Sequence, residues 1–486
     1  MGGHLRVAAL LLSRYILNHA AAVPDAILGT TMRLDFSHIP LTDKAFSDQP
    51  MAFCEPQSIS VLSAIVELIA IETGDRTVRE RWQVAQLRNL LKHAAANSAF
   101  WKKRIGTRNA GDIELSSLPA LTRSEIREQV RREAALLMPN PVNVRKHASS
   151  GSTGVPVEFF ISEMNGQFNE VRSLAQHFLE GRDFSLNRVR LRPEPIAVES
   201  GISVERAGSW MGPLEPFIRS GTNRTIKYFH PDWGKMRQVL EGEPVGYMVA
   251  QNGLVETLLQ HFGPSFFKRA GVAMWIPIAD GVDQNLRDIF ASLDIPIRAT
   301  YSAEEVGMIG AECDKNPGHY HVATSNVIVE VDANEQIGLA GAQVGRVLVT
   351  HLHSYATPFI RYDIGDLASH ADRCACGHDG LVLSNIFGRS KNLLKHADGR
   401  VSIFYVRGQE LHAIAKFDEY RIRQVDVRAI IVEIAGGTAL SPDEVAAVTR
   451  LVRSHAGDEF QIEVKSGAKI DWGHSVKRLA YHSEVM

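Results

Sequence analysis

The segment Pro244–Phe262, PVGYMVAQNGLVETLLQHF, reads as a buried strand that runs straight into a helix. QNLRDIFASL repeats the helical text, and IPIRATY follows it as a short strand. Strand and helix signals that alternate in this way predict an α/β fold. Farther along, NVIVEVD and GRVLVTHL predict antiparallel strands joined by a polar turn containing Gly338 and Gly341. At 486 residues the chain exceeds the size at which one core stops growing, so two or three domains are expected.

Both ends differ from this middle. Val78 to Arg104 places Trp82, Leu87, Leu90, Leu91 and Ala94 near helical spacing, which predicts one long surface helix with its stripe in the core. Thr122 with Glu125 three residues later predicts a capping box. After FGRSKN the segments QVDVRAIIVEI, SPDEVAAVTRLVRSH and EFQIEVK read strand, helix, strand. Ser441 is a good N-cap there, with Pro442 at N1 and Glu444 at N3. This predicts a small α+β domain of roughly 95 residues beginning between Gly388 and Lys395.

The first residues, HLRVAALLLSRYILNHAAAV, look superficially like a signal peptide, but Arg14 interrupts the apolar run. We read them as an amphipathic helix, and no run of about 18 apolar residues predicts a membrane span. A net charge of −2 predicts neither a nucleic-acid nor an anionic-membrane partner. Only four cysteines occur, Cys54, Cys313, Cys374 and Cys376, which favours a reducing, cytoplasmic setting.

Four polar segments could carry chemistry. SSGSTG, Ser149 to Gly154, combines the hydroxyls of Ser149, Ser150, Ser152 and Thr153 with the permissive Gly151 and Gly154. Such a loop can wrap phosphate oxygens, and it can equally be a plain turn. It lacks the Lys-Ser/Thr ending of a Walker loop. In ATYSAEEVG, at the end of a predicted strand, Tyr301 could stack on a purine and Glu304 or Glu305 could hold Mg²⁺. In TPFIRYDIGDLA, Asp363 and Asp366 flank Gly365, and a carboxylate after a tight turn suits a ribose diol. In IFGRSKN, Arg389 lies directly before the change of domain, where a guanidinium can reach ribose or phosphate oxygens.

The order of these segments is specific. From about Val78 to the C-terminus the chain resembles the adenylate-forming (ANL) superfamily, in its phenylacetate–CoA ligase and capsule-biosynthesis-protein-like branch. The resemblance rests on Ser149–Pro156, Tyr301–Glu305, Thr357–Asp366, Cys374–Gly377 and Gly388–Arg389. It implies a large multi-subdomain adenylate-forming domain over 78–388, a small mobile α+β domain over 389–486, and an N-terminal extension over 1–77 packed on the large domain. It further implies that Ser149 to Gly154 hold the β- and γ-phosphates of ATP, with Thr153 catalytic. Tyr301, with Ser302 and Glu304 beside it, would bind adenine, and Glu305 would bind Mg²⁺. Asp366 would hold the ribose with help from Arg389. The family's mobile lysine maps onto Lys477, preceded here by Val476 rather than Gly.

The implied activity is activation of a small carboxylic acid, aromatic or aryl-type, as an acyl-adenylate with release of pyrophosphate. Transfer to a thiol of CoA or an acyl carrier protein would follow. Two alternatives stand beside it: adenylation of another acid such as nitrite, or transfer to an amine, and a nucleotide-binding homologue without turnover. The chain departs from relatives at Asp280–Gly281, Glu304 and Asn392. Acid-pocket residues are expected between about His230 and Thr300, with Tyr247, Gln251, Asn252 and Trp275 as candidates.

Three cysteines, Cys313, Cys374 and Cys376, with His319 or His321 could form a tetrahedral Cys₃His zinc site. The family's Gly-x-His spacing favours His321. Four protein ligands would make the zinc structural. His351, His353, His370 and His378 are expected to be ordinary histidines.

Overall fold

We describe the protein from a computed structural model. It covers residues 55–109, 111–131, 143–149, 157–194, 196, 198, 200–278, 281–332, 344–389, 393–402, 404, 406, 408–472 and 481–485. The hairpin β1 (Val144–Ala148) and β2 (Glu158–Ser162) comes first. A five-stranded sheet follows, built from β3 (Arg188–Pro193), β4 (Ile202–Ala207), β5 (Asn223–Tyr228), β6 (Gly246–Ala250) and β7 (Val272–Pro277). Its order is β4-β5-β3-β6-β7, with β4 antiparallel at the edge and the other four strands parallel.

Every residue of β6 is buried, as befits a parallel strand covered on both faces. Met248 and Ala250 face a core shared with the helices Trp233–Glu241, Asn252–Phe262 and Gln284–Ser292. Tyr247 and Val249 face the helices Pro56–Thr73 and Glu163–Leu179. The strand-into-helix reading of this segment therefore holds. The helix Pro56–Thr73 corrects the expectation that no membrane-length apolar stretch occurs, since its 18 residues average 1.2 in hydropathy. Its Ile65, Leu68 and Ile69 nevertheless pack against Val171 and Leu174.

A seven-stranded antiparallel sheet comes next, from β8 (Thr300–Ala303), β9 (Gly307–Glu312), β10 (Tyr320–Val322), β11 (Val327–Asp332), β12 (Val344–His351), β13 (Tyr362–Ala371) and β14 (Val382–Arg389). Its order is β11-β12-β13-β14-β10-β9-β8. Leu90, Leu91, Ala94 and Trp101 close its core. They do not lie on one long helix. Ser98 leaves the helical conformation and its hydroxyl accepts from the N–H of Trp101, so the segment breaks into Arg76–Asn97 and Ala99–Ile105. Thr122 and Glu125 do form the reciprocal capping box.

The short pair β15 (Leu394–Lys395) and β16 (Val401–Ser402) leads into a separate core that gathers side chains between Leu394 and Phe460. Its sheet contains β17 (Glu419–Asp426), β18 (Ala429–Ala435), β19 (Gln461–Gly467) and β20 (Tyr481–Ser483). QVDVRAIIVEI, expected as one strand, is a hairpin that turns after Asp426, whose carboxylate accepts from the N–H of Arg428. The helix Pro442–Ala456 starts at the expected N-cap Ser441, and Glu444 completes a capping box with it.

His351 is a core histidine with no hydrogen bond to either ring nitrogen among the described residues. Burial first, then neighbouring His353, pushes its pKa from 6.5 down to about 3. The unfolded chain takes up a proton below its ordinary value that the folded chain refuses, so stability falls as pH drops through about 6.5. By pH 5 this one residue should cost about 2 kcal/mol. Denaturant melts between pH 7.5 and 5 check it: His351→Leu should flatten the profile by that amount, and an unchanged slope sinks the assignment.

Candidate active site

The site assembles on the seven-stranded sheet. On β13, Asp363 accepts from the N–H of Gly365 at 2.8 Å, and Gly365 adopts φ +83°, open to glycine at little cost. The bend sets Asp366 beside β8, where its Oδ2 accepts from the Tyr301 hydroxyl at 2.7 Å. The ring of Tyr301 belongs to the core under the seven-stranded sheet. Asp366 also stands opposite Arg389 in the β13–β14 ladder. Segments more than sixty residues apart in sequence thus meet.

Glu305 is 5% exposed, whereas Ser302 and Glu304 are exposed and Glu304 is itself engaged. Two partners converge on its Oε1: the Tyr362 hydroxyl at 3.0 Å and the Arg123 guanidinium at 3.4 Å. Arg123 also donates to the carbonyl of Ile364 at 3.2 Å. Leu121 pairs through its backbone with Arg361 and Asp363, which fixes Arg123 against β13. The Glu305 carboxylate pushes the Tyr362 phenol pKa up further after burial has raised it, so the phenol stays a donor. Sequence reasoning missed both partners. Tyr362 lay inside a quoted segment without a role, and Arg123 was hidden in a capping box.

Ser149 closes the base of the SSGSTG loop: its N–H donates to the Val157 carbonyl at 2.9 Å and its Oγ accepts from the Val157 N–H at 3.0 Å. Thr357, from the TPFIRYD segment, holds β2 by accepting from the Phe160 N–H. Ser150, Gly151, Ser152, Thr153, Gly154 and Lys477 lie outside the described residues, as does the side chain of Arg389.

A cavity of about 750 Å³ reaches the seven-stranded sheet at Gly388, which pairs with Leu367, the residue after Asp366. One wall is the end of β5 and β6 with the first turn of the helix Asn252–Phe262, the place where parallel sheets bind ligands. Another is Ile386 to Gly388 of β14, and Gly388 is next to Arg389 in the strand that pairs with Asp366. The small core supplies the third wall with Phe417, Tyr420 and Trp472. The His261–Asp418 contact, 3.3 Å, links the two cores at its rim. Gln251 and Asn252 line the cavity as expected. Tyr247 and Trp275 do not: their polar atoms bond to the carbonyls of Asp183 and Ala250 inside the core.

At the far end of the seven-stranded sheet, Cys313, His321, Cys374 and Cys376 bring their ligand atoms within 4.8 Å of one another. The sulfurs of Cys313 and Cys374 are 3.8 Å apart, and Cys376 Sγ is 3.4 Å from His321 Nε2. A tetrahedral zinc with bonds of about 2.3 Å to sulfur would separate two sulfurs by about 3.8 Å, so the set fits that ion. Asn316 donates to Cys374 Sγ at 3.2 Å and the His378 N–H to Cys376 Sγ at 3.4 Å, contacts that favour thiolates. Burial, then His378, pushes the His321 pKa down to about 4, leaving the neutral imidazole a metal requires.

No family model matches this chain, and no curated protein does. Among solved structures, 2-hydroxyisobutyryl-CoA ligase in the postadenylation state with 2-HIB-AMP aligns with a TM-score of 0.57 at 14% identity, over 83% of this chain and 88% of that one. The same ligase with 2-HIB-AMP and CoA in its thioesterification state aligns at 0.52 and 16% identity, over 85% and 92%. The chain shares the fold of that ligase.

Proposed function

We propose that the protein is an ATP-dependent, AMP- and pyrophosphate-producing ligase that activates a small carboxylic acid as its acyl-adenylate. The observation that carries this reading is the Tyr301–Asp366 hydrogen bond on the seven-stranded sheet, with buried Glu305 held by Arg123 and by Tyr362 of β13, the strand that carries Asp366. In that reading Asp366 holds the ribose diol and Tyr301 fixes the rotamer of Asp366. The carboxylate of Glu305 would hold Mg²⁺, with Oε1 pinned by Tyr362 and Arg123. The ion, when bound, neutralises charge on the phosphate oxygens.

The acid's oxygen attacks the α-phosphorus, the bond to the β-phosphate oxygen breaks, and pyrophosphate leaves. Positioning and electrostatics supply most of the rate. Ser149 to Gly154, with Thr153, would hold the leaving phosphates, and Lys477 would reach the α-phosphate from the small domain. A thiol of CoA or of a carrier protein would then displace AMP. We assign the Cys₃His cluster to structural zinc.

The decisive experiment is pyrophosphate release from Mg·ATP across a panel of carboxylates, with nitrite and amine acceptors included. Release that requires one acid class supports the proposal. ATP binding without release under any acid would assign the protein to nucleotide-binding homologues that do not turn over.

A further inference from the structure

The helix Asn252–Phe262 begins at the cavity wall without a side-chain cap from Gln251, so N–H groups of its first turn are available to a ligand. Gly253 lines the same wall, and the space where a Cβ would stand is open. Asn252 lies on this turn, lines the cavity, and is 8% exposed. Its Nδ2 donates to the Gly281 carbonyl at 2.7 Å, which fixes the amide's orientation. That leaves Oδ1 as an acceptor, buried and with no hydrogen-bond partner among the described residues. A buried acceptor left unmade is costly.

We propose that Asn252 is a specificity residue that reads a non-reacting hydroxyl on the acid substrate. The inference rests on the adenylation reading, in which Tyr301, Glu305 and Asp366 hold the nucleotide from the seven-stranded sheet. Asn252 stands on the wall built by the other sheet, which that reading leaves to the second reactant.

The group it meets must donate to Oδ1 and can accept from the first-turn N–H groups. A hydroxyl does both. An ammonium donates but cannot accept, and the positive end of the helix dipole opposes it. The four carboxylates among the described lining residues are already committed: Glu256 and Glu419 are engaged, Asp283 caps the next helix by accepting from the Leu286 N–H at 2.8 Å, and Asp418 contacts His261 at 3.3 Å. An acid lacking the hydroxyl would leave Oδ1 buried and unpaired. Sites built to bond a substrate hydroxyl reject such analogues by large factors.

The test measures pyrophosphate release with matched acids: benzoate against its 3- and 4-hydroxy forms, phenylacetate against 4-hydroxyphenylacetate, and butyrate against 3-hydroxybutyrate. The wild type should favour one hydroxy acid over its partner by about 100-fold or more in kcat/KM. Asn252→Leu should collapse that ratio to within about threefold. Equal rates for every pair in the wild type would overturn the proposal. So would an Asn252→Leu effect confined to KM for ATP, which would assign the acceptor to the adenine amine.

A second measurement does not need turnover. Ligand-observed NMR with phenol and anisole, which differ by the donor hydrogen, should show phenol bound about tenfold tighter to the wild type and equally to Asn252→Leu. Equal binding to the wild type refutes the hydroxyl reading. Phenol preference without pyrophosphate release from any acid leaves this inference standing and removes the adenylation instead.

Discussion

Glu305→Gln should slow pyrophosphate release by about 100-fold or more per folded molecule, and its residual rate should need more Mg²⁺ to saturate. Gln matches the shape of Glu and keeps an oxygen for the Tyr362 hydroxyl and for Arg123, which now contact Oε1. What disappears is the charge. Arg123, 17% exposed at its side chain, then faces a neutral partner, so a stability loss of about 3 kcal/mol should accompany the kinetic one. The two effects separate on comparison with Tyr362→Phe. That change removes one hydrogen bond but leaves the carboxylate, and should cost about tenfold. If Glu305→Gln melts early yet turns over normally per folded molecule, Glu305 is a structural ion-pair member and the Mg²⁺ assignment fails.

How the residues around Glu305 divide between legible and hidden has a physical reason. Tyr301, Glu305 and Asp366 could be named because their types and order are informative in one dimension. Asp366 carries its geometry in its neighbours, since Gly365 and Asp363 make the bend that aims it. Arg123 could not be named. Its contact spans 182 positions and depends on Leu121 pairing with β13, a tertiary event without a local signature.

The fold divides similarly. The all-buried β6 and its helix were readable from an apolar run and helical spacing. The break at Ser98 was missed because a continuous stripe hides a capping serine, and the β17–β18 turn because Val427 and Arg428 resemble strand residues more than turn residues. Tyr247 and Trp275 were misjudged as pocket candidates for a related reason. On a strand covered on both faces, an aromatic with a polar tip finds its bond inside the core, and only Gln251 and Asn252, past the strand's end, reach the cavity.

Cys374→Ser should abolish metal binding and cost at least about 3 kcal/mol, because metal affinity at such a site is folding free energy. The reason lies in what the four ligands join. Cys313 ends the β9 side of the β9–β10 turn, and its N–H donates to the His319 carbonyl at 2.8 Å. His321 sits on β10, paired with Val382 of β14. Cys374 and Cys376 form the turn between β13 and β14, where the Cys374 N–H donates to the His378 carbonyl at 2.9 Å. One ion would staple two hairpin turns of the same sheet. The hairpin it fixes is the one that holds Asp366 opposite Arg389, so metal loss should also weaken ATP binding. Elemental analysis and melts with and without chelator test this. The resemblance favoured His321 over His319 as the fourth ligand, and among the described residues His321 is the histidine in the cluster. His321→Ala should therefore release the metal while His319→Ala retains it. Purified protein with no stoichiometric zinc, or a melt unmoved by Cys374→Ser, would return the cluster to ordinary buried thiols.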